Sequence, residues 1–265
     1  MVREFKDKNY WALVLGGSTG LGLATAKKLA KHGMNLIIVH RNTRSQMDNI
    51  EQVFREIRVL GTEVLSFNMD AINPEKRETM ILDIKRTLGH SGRIKTLIHS
   101  VAKGNLKPMI TEEGLELGSD DFELTIKAMG ISLYTWTKAI YKHNMFDADA
   151  RIISFTSEGN SKAWQNYAAI SAAKVTLEAI TRNIALEFAP FGIKANCIQA
   201  GVTDTASLQM IPGSDAIIDH SIKRNPNNRL TTPEDVANVV YLLCKEEASW
   251  ITGTVIPVDG GEHLR

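Results

Sequence analysis

Seven short apolar runs rich in β-branched residues alternate with longer amphipathic stretches along this chain, and no other feature limits its fold as tightly. The runs lie at 11–16 (WALVLG), 35–40 (NLIIVH), 63–68 (EVLSFN), 93–100 (RIKTLIHS), 151–156 (RIISFT), 193–199 (IKANCIQ) and 254–259 (TVIPVD). Helical patterns occupy 21–32, 44–60, 74–88, 119–143, 164–188 and 233–245 between them. The last opens on Thr231-Thr232-Pro233-Glu234-Asp235, where Thr caps, Pro suits the first turn and the acids face the helix dipole. Strands alternating with helices in this way form βαβ units around a parallel sheet. The expected fold is α/β, with a seven-stranded, parallel, doubly wound sheet in a single domain spanning 1–265. One connection breaks the rhythm: 206–230 carries Met210, Ile211, Pro212, Ile217 and Ile218 among polar residues. A long, partly apolar connection of this kind is expected to be a substrate-binding lid.

The composition suits one sizeable core, with 43% hydrophobic and 23% charged residues in 265. A formal charge of +1 supplies no global field for nucleic acid or an acidic membrane face, although a local basic pocket stays open. Cys197 and Cys244 stand far apart in apolar stretches, without a CxxC or a neighbouring His at metal spacing. Both read as reduced core residues of a cytoplasmic protein, and no metal site is expected. The first apolar run is too short to span a bilayer and follows a charged start without a cleavage-site pattern, so neither secretion nor membrane insertion is expected.

After the first strand the chain reads Leu15-Gly16-Gly17-Ser18-Thr19-Gly20-Leu21-Gly22 and then enters a helix. Glycines at such a turn let the backbone approach a pyrophosphate, and the following helix N-terminus offers unpaired N–H groups and the positive end of a dipole. This turn, placed between strand one and helix one, marks a Rossmann-type dinucleotide cradle formed by Gly16, Ser18, Thr19, Gly20, Leu21 and Gly22. At the end of strand two an acid would bind a ribose 2′-OH and repel a 2′-phosphate. The chain instead offers His40, Arg41, Asn42 and Arg44, with no acid before Asp48. NADPH is therefore expected in preference to NADH, with His40, Arg41 and Arg44 beside the adenosine ribose. Arg41 and Arg44 also fit as solvated charges at a helix start.

The pattern Gly16-x3-Gly20-x-Gly22 is similar to that of the short-chain dehydrogenase/reductases, with Leu15 where that family usually carries Thr. The resemblance runs from Trp11 to Gly261. It implies further cofactor contacts from Asp70, Ala71, Ser100, Val101, Ala102, Gly201, Val202 and Thr205. Asp70 resembles the family's adenine-binding acid and equally fits as a cap of the next helix.

Three marks resemble the enoyl-acyl-carrier-protein reductase branch of that family. His99-Ser100-Val101-Ala102 stands where ordinary members have Asn-Asn-Ala-Gly, and Ala200-Gly201 where they have Pro-Gly. The third is Tyr167-x6-Lys174. Ordinary members carry Tyr-x3-Lys, which would put Tyr at position 170, and Ile170 stands there. Two helical turns return Tyr167 and Lys174 to one face, about 10 Å apart along the axis. The resemblance implies that Lys174 holds the nicotinamide ribose and that Tyr167 meets a thioester oxygen. Ser157 keeps the place of the family's active-site serine, where most enoyl reductases have a second aromatic. Lys127 stands where ordinary members place a relay Asn, and His99 is expected to be a satisfied core residue.

The expected activity is NADPH-dependent reduction of a trans-2-enoyl thioester carried by acyl carrier protein or coenzyme A. Tyr167, Lys174 and Ser157 are its catalytic residues, and Tyr167, Met210, Ile211 and Ile218 its substrate contacts. The alternatives are a 3-oxoacyl-type carbonyl reductase and a non-catalytic nucleotide-binding protein. The family also implies a homotetramer packed through the helices at 119–143 and 164–188.

Overall fold

The computed structural model describes residues 3–211 and 213–265; Pro212 of the long connection lies outside them. The strands are β1 (Tyr10–Leu15), β2 (Asn35–His40), β3 (Val64–Asn68), β4 (Arg93–His99), β5 (Phe146–Ser157), β6 (Ile193–Ala200) and β7 (Val255–Val258). They form one sheet in the order β3-β2-β1-β4-β5-β6-β7, and every neighbouring pair is parallel.

Both faces of this sheet are covered, which is why its central strands read as unbroken apolar runs. Trp11, Leu13 and Leu15 of β1 point to one face, where α3 (Pro74–Leu88), α5 (Ser132–Lys142) and α6 (Ala168–Glu187) contribute Ile81, Trp136 and Leu177. Ala12 and Val14 point to the other, against α1 (Gly20–Lys31), α2 (Met47–Arg58) and α9 (Pro233–Leu243), which contribute Leu29, Phe54 and Val236. The strand order reverses between β1 and β4, so successive crossovers diverge there and open a crevice at the C-terminal ends of the strands. Among the described residues, no helix is long and apolar enough to cross a membrane.

Three elements depart from the sequence expectation. The pattern at 119–143 is not a uniform α-helix: α4 (Ser119–Ile126) passes through a π-helical turn at Lys127–Ile131 before α5. The widened turn leaves Lys127 in solvent and buries Met129, so Lys127 is not a member of the site. α6 starts at Ala168 rather than at 164, because Asn166 adopts a left-handed conformation (φ 61°) that halts the helix. Tyr167 is its N-cap, and its carbonyl accepts the Ser171 N–H at 2.8 Å. The connection after β6 folds into α7 (Ala206–Gln209) and α8 (Ser214–Arg224).

At the opposite, N-terminal end of the sheet, the Asp149 carboxylate lies 2.6 Å from Arg151, 2.7 Å from Lys194 and 3.0 Å from Lys95. Burial opposes ionisation there, but these three cations outweigh it and hold Asp149 far below the usual carboxylate range.

Candidate active site

The crevice is a cleft of about 830 Å³ running from the β2 and β3 ends across the glycine turn to Tyr167 and Lys174. The protein's own backbone requires its glycines. A Cβ on Gly16 would lie 2.2 Å from the Ser100 carbonyl oxygen, and one on Gly22 would lie 2.2 Å from the Gly16 oxygen. Gly22 therefore packs beneath the turn and does not line the cleft, whereas Gly16, Ser18, Thr19, Gly20 and Leu21 do. The α1 N-terminus has no side-chain cap and no acid in its first turn, so its amides are free for a pyrophosphate.

At the β2 end of the cleft His40, Arg41 and Asn42 line it, joined by Thr43 and Gln46, which the sequence reading missed. Gln46 accepts the Thr43 N–H at 3.0 Å and so shapes this turn. Arg44 faces solvent and does not line the cleft, because it opens the 3₁₀ turn before α2. Burial lowers the pKa of His40, whose Nδ1 lies 2.9 Å from Asn42 Oδ1. Asp70 is not the cap of α3; Asn73 accepts the Lys76 N–H there. The Asp70 carboxylate instead accepts the Ile72 N–H at 3.1 Å and pairs with Lys103 at 3.1 Å and Arg41 at 3.3 Å. Burial would raise its pKa, but these partners outweigh burial and lower it. Ala71, Ser100, Val101 and Ala102 line the middle of the cleft.

Ser157 ends β5, and its Oγ lies 3.3 Å from the Tyr167 hydroxyl. The Tyr167 ring is held by Trp164, 5.6 Å away between centroids, and by Gly159, where a Cβ would come within 2.5 Å of the ring. Burial raises the Tyr167 pKa against the hydrogen bond to Ser157, so the phenol is neutral and able to donate at neutral pH. Lys174 is part-buried, donates to the Phe155 carbonyl at 2.7 Å and is lowered to about 8 by burial. Four residues before it Ile170 lines the cleft, packed where a Cβ on Gly104 would meet its Cδ1 at 2.3 Å. His99 lies beneath, its Nε2 2.7 Å from Ser132 Oγ, and burial lowers it to about 3 with Lys174 adding to the effect. It is a neutral, satisfied core residue at physiological pH.

The far wall is Gly201, Val202 and Thr205 with Leu208, Met210 and Ile211; Ile218 does not line it, since α8 turns that residue away. α8 is fastened by Arg224, which lies 2.5 Å from Glu158 and 2.7 Å from Glu262. The other Glu262 oxygen accepts the Val202 N–H at 3.1 Å. No local motif joins these residues, and sequence reading missed them along with Met129, Leu106 and Trp164. Among the described residues no cluster of His, Cys, Asp and Glu could hold a metal ion.

Residues 16–263 match the family model described as Enoyl-(Acyl carrier protein) reductase. The chain is 26% identical to the peroxisomal 2,4-dienoyl-CoA reductase of Danio rerio over 96% of its own length and 81% of that protein's. It is 29% identical to a 7alpha-hydroxysteroid dehydrogenase of Paraclostridium sordellii, covering 98% of this chain and 94% of the relative. The fold is also that of the enoyl-[acyl-carrier-protein] reductase (NADH) of Aquifex aeolicus, with a TM-score of 0.84 at 23% identity over 98% of each chain. The glycine turn under an uncapped helix and the match over nearly the whole chain agree: the protein belongs to this enoyl-(acyl carrier protein) reductase family of the short-chain dehydrogenase/reductases and is an NAD(P)H-dependent oxidoreductase.

Proposed function

We propose that the protein uses NADPH to reduce the C2=C3 bond of trans-2-enoyl thioesters, carried by acyl carrier protein or coenzyme A, for fatty-acid synthesis in the cytoplasm. One observation carries this reading. The phenol stands at Tyr167, while position 170, four residues before Lys174, holds an apolar side chain that lines the cleft. Ketone reduction needs an acid at the oxygen of the very carbonyl that accepts hydride. Hydride added at C3 of a conjugated thioester instead puts negative charge on the distant thioester oxygen, and a proton from solvent then completes C2.

The cradle fits a dinucleotide. The α1 amides would hold the pyrophosphate, Lys174 the nicotinamide ribose, and the loop from Gly201 to Thr205 the nicotinamide. Bound NADPH supplies the hydride. Tyr167 donates its hydroxyl proton in a hydrogen bond to the thioester oxygen, with Ser157 orienting it. The part-buried Lys174 ammonium adds positive potential. Ile170, Leu106, Met129, Trp164 and Ile211 form an apolar wall for the acyl chain, and α7 with the start of α8 serves as its lid. The exposed apolar residues Leu124, Ile131, Tyr134, Val175 and Leu186 on the α4–α5 and α6 faces suit a homotetramer, which the native mass in solution reads directly.

The Ser157–Tyr167 contact favours a second reading, a 3-oxoacyl-type carbonyl reductase. A substrate panel separates the two. NADPH oxidation is expected with crotonyl and longer 2-enoyl thioesters and not with acetoacetyl thioesters. Met210→Glu should slow the longer substrates most, since Met210 is 73% exposed at the cleft edge. Reduction of acetoacetyl thioesters with enoyl thioesters untouched would replace the first reading with the second.

Arg41 is 65% exposed and only bridged to Asp70, so it is free to turn to a 2′-phosphate. Arg41→Ala is expected to raise the KM for NADPH about tenfold, the scale of one charge-assisted hydrogen bond, and to leave that for NADH little changed. Equal effects on both cofactors in steady-state assays would remove the NADPH assignment.

A further inference from the structure

Three residues of α6 at successive helical turns are stitched to consecutive residues at the end of β5. Thr181 Oγ1 lies 3.2 Å from Ser154 Oγ, Lys174 donates to the Phe155 carbonyl, and Thr156 Oγ1 donates to Glu178 Oε1 at 2.5 Å. The same Glu178 oxygen accepts from the Asn160 side-chain amide, in the turn that follows Ser157. One carboxylate thus holds the chain on both sides of Ser157. It also sits four residues after Lys174, within side-chain reach on one helix face.

We propose that Glu178 is a positioning residue of this site: its carboxylate clamps both flanks of Ser157 to the helix carrying Lys174 and is the counter-charge of that ammonium. The proposal rests on the reading of Ser157, Tyr167 and Lys174 as the working group. The other titratable neighbours carry no charge near neutral pH. Burial raises the Cys197 thiol on β6, burial holds His99 on β4 neutral down to about pH 3, and burial raises the Tyr167 phenol. Burial lowers Lys174 to about 8, and Glu178 acts against that lowering.

Glu178→Gln and Glu178→Ala separate the two roles. Gln keeps an oxygen that accepts from Thr156 and Asn160 but removes the charge; Ala removes both. The first readout needs neither substrate nor cofactor: the pH dependence of Lys174 modification by an amine-reactive reagent, followed by mass spectrometry on the purified full chain. Without the nearby negative charge the ammonium loses its proton more readily, so the midpoint should fall by about one pH unit in both variants, the lower range for loss of an opposite charge. The second readout is the alkaline limb of kcat/KM on whichever thioester the wild type reduces, which should move the same way. Turnover at pH 6.5 should fall at least tenfold further in Glu178→Ala than in Glu178→Gln, because only Ala frees Ser157.

An unmoved Lys174 midpoint in Glu178→Gln would overturn the counter-charge. Equal turnover in the two variants would overturn the clamp. Should Glu178→Ala fail to fold, Thr156→Val tests the clamp by removing one leg of it, and wild-type turnover in that variant counts against the proposal. A wild type inactive on enoyl thioesters that still shows the labelling shift would sink the substrate reading and leave Glu178 in place.

Discussion

Tyr167→Phe is expected to lower turnover on an enoyl thioester about 10²-fold, the scale of losing one preorganised donor to a developing oxyanion, with the KM for NADPH within about twofold of wild type. The ring survives the change: Trp164 and the bare backbone of Gly159 hold its body, and only the hydroxyl beside Ser157 is lost. Lys174→Ala should behave differently, impairing both turnover and NADPH binding, since its side chain lines the cleft and donates to the Phe155 carbonyl. Steady-state kinetics with both variants read this split. Wild-type turnover in Tyr167→Phe would mean that the phenol does not meet the charge that forms.

Asp149→Ala is the substitution with the largest expected effect on stability. Arg151 is 1% and Lys95 7% exposed at their side chains, and removing the carboxylate leaves these cations uncompensated next to Lys194. Breaking a buried pair from one side costs about 3–5 kcal/mol; with Asp149 itself a third exposed and Asp147 still 3.4 Å from Lys95, about 3 kcal/mol is expected. Urea unfolding at fixed protein concentration measures it. The sign of the pH dependence follows from the lowered carboxyl: its contribution is present in full above about pH 4 and is lost as pH falls toward its folded value, so wild type and variant converge in acid. A difference below about 1 kcal/mol at pH 7 would show that the carbonyls of Leu243 and Lys245, which also accept from Arg151, suffice.

Much of the site was legible because it follows strand ends. Once β1, β4, β5 and β6 are recognised as parallel strands, the residues just past each C-terminus must meet at the crevice. That reasoning reaches Gly16, Ser100, Ser157 and Gly201 from order alone. It fails where a contact depends on a helix end or on a partner distant in sequence. Arg44 and Ile218 looked suitable by type and proximity, but the 3₁₀ turn before α2 and the path of α8 direct them elsewhere. Arg224 was invisible because its partners, Glu158 and Glu262, lie 66 and 38 residues away.

Periodicity and turn chemistry are local, so the sequence by itself determined the seven strands, their parallel α/β arrangement, the glycine cradle and the displaced Tyr167. The caps of α9 were equally readable, since Thr232 and Asp235 satisfy each other's amides within one turn. Tertiary structure decided what those local rules leave free. A π-helical turn inserts without disturbing the apolar spacing around it, and so Met129 rather than Lys127 faces the cleft. Helix α6 begins at Ala168, after a left-handed Asn166, although the apolar spacing from Trp164 onward reads as one continuous helix. The Glu178 clamp exists only once β5 and α6 are docked, because hydrogen bonds between side chains far apart in sequence form after the chain has already brought their backbones together.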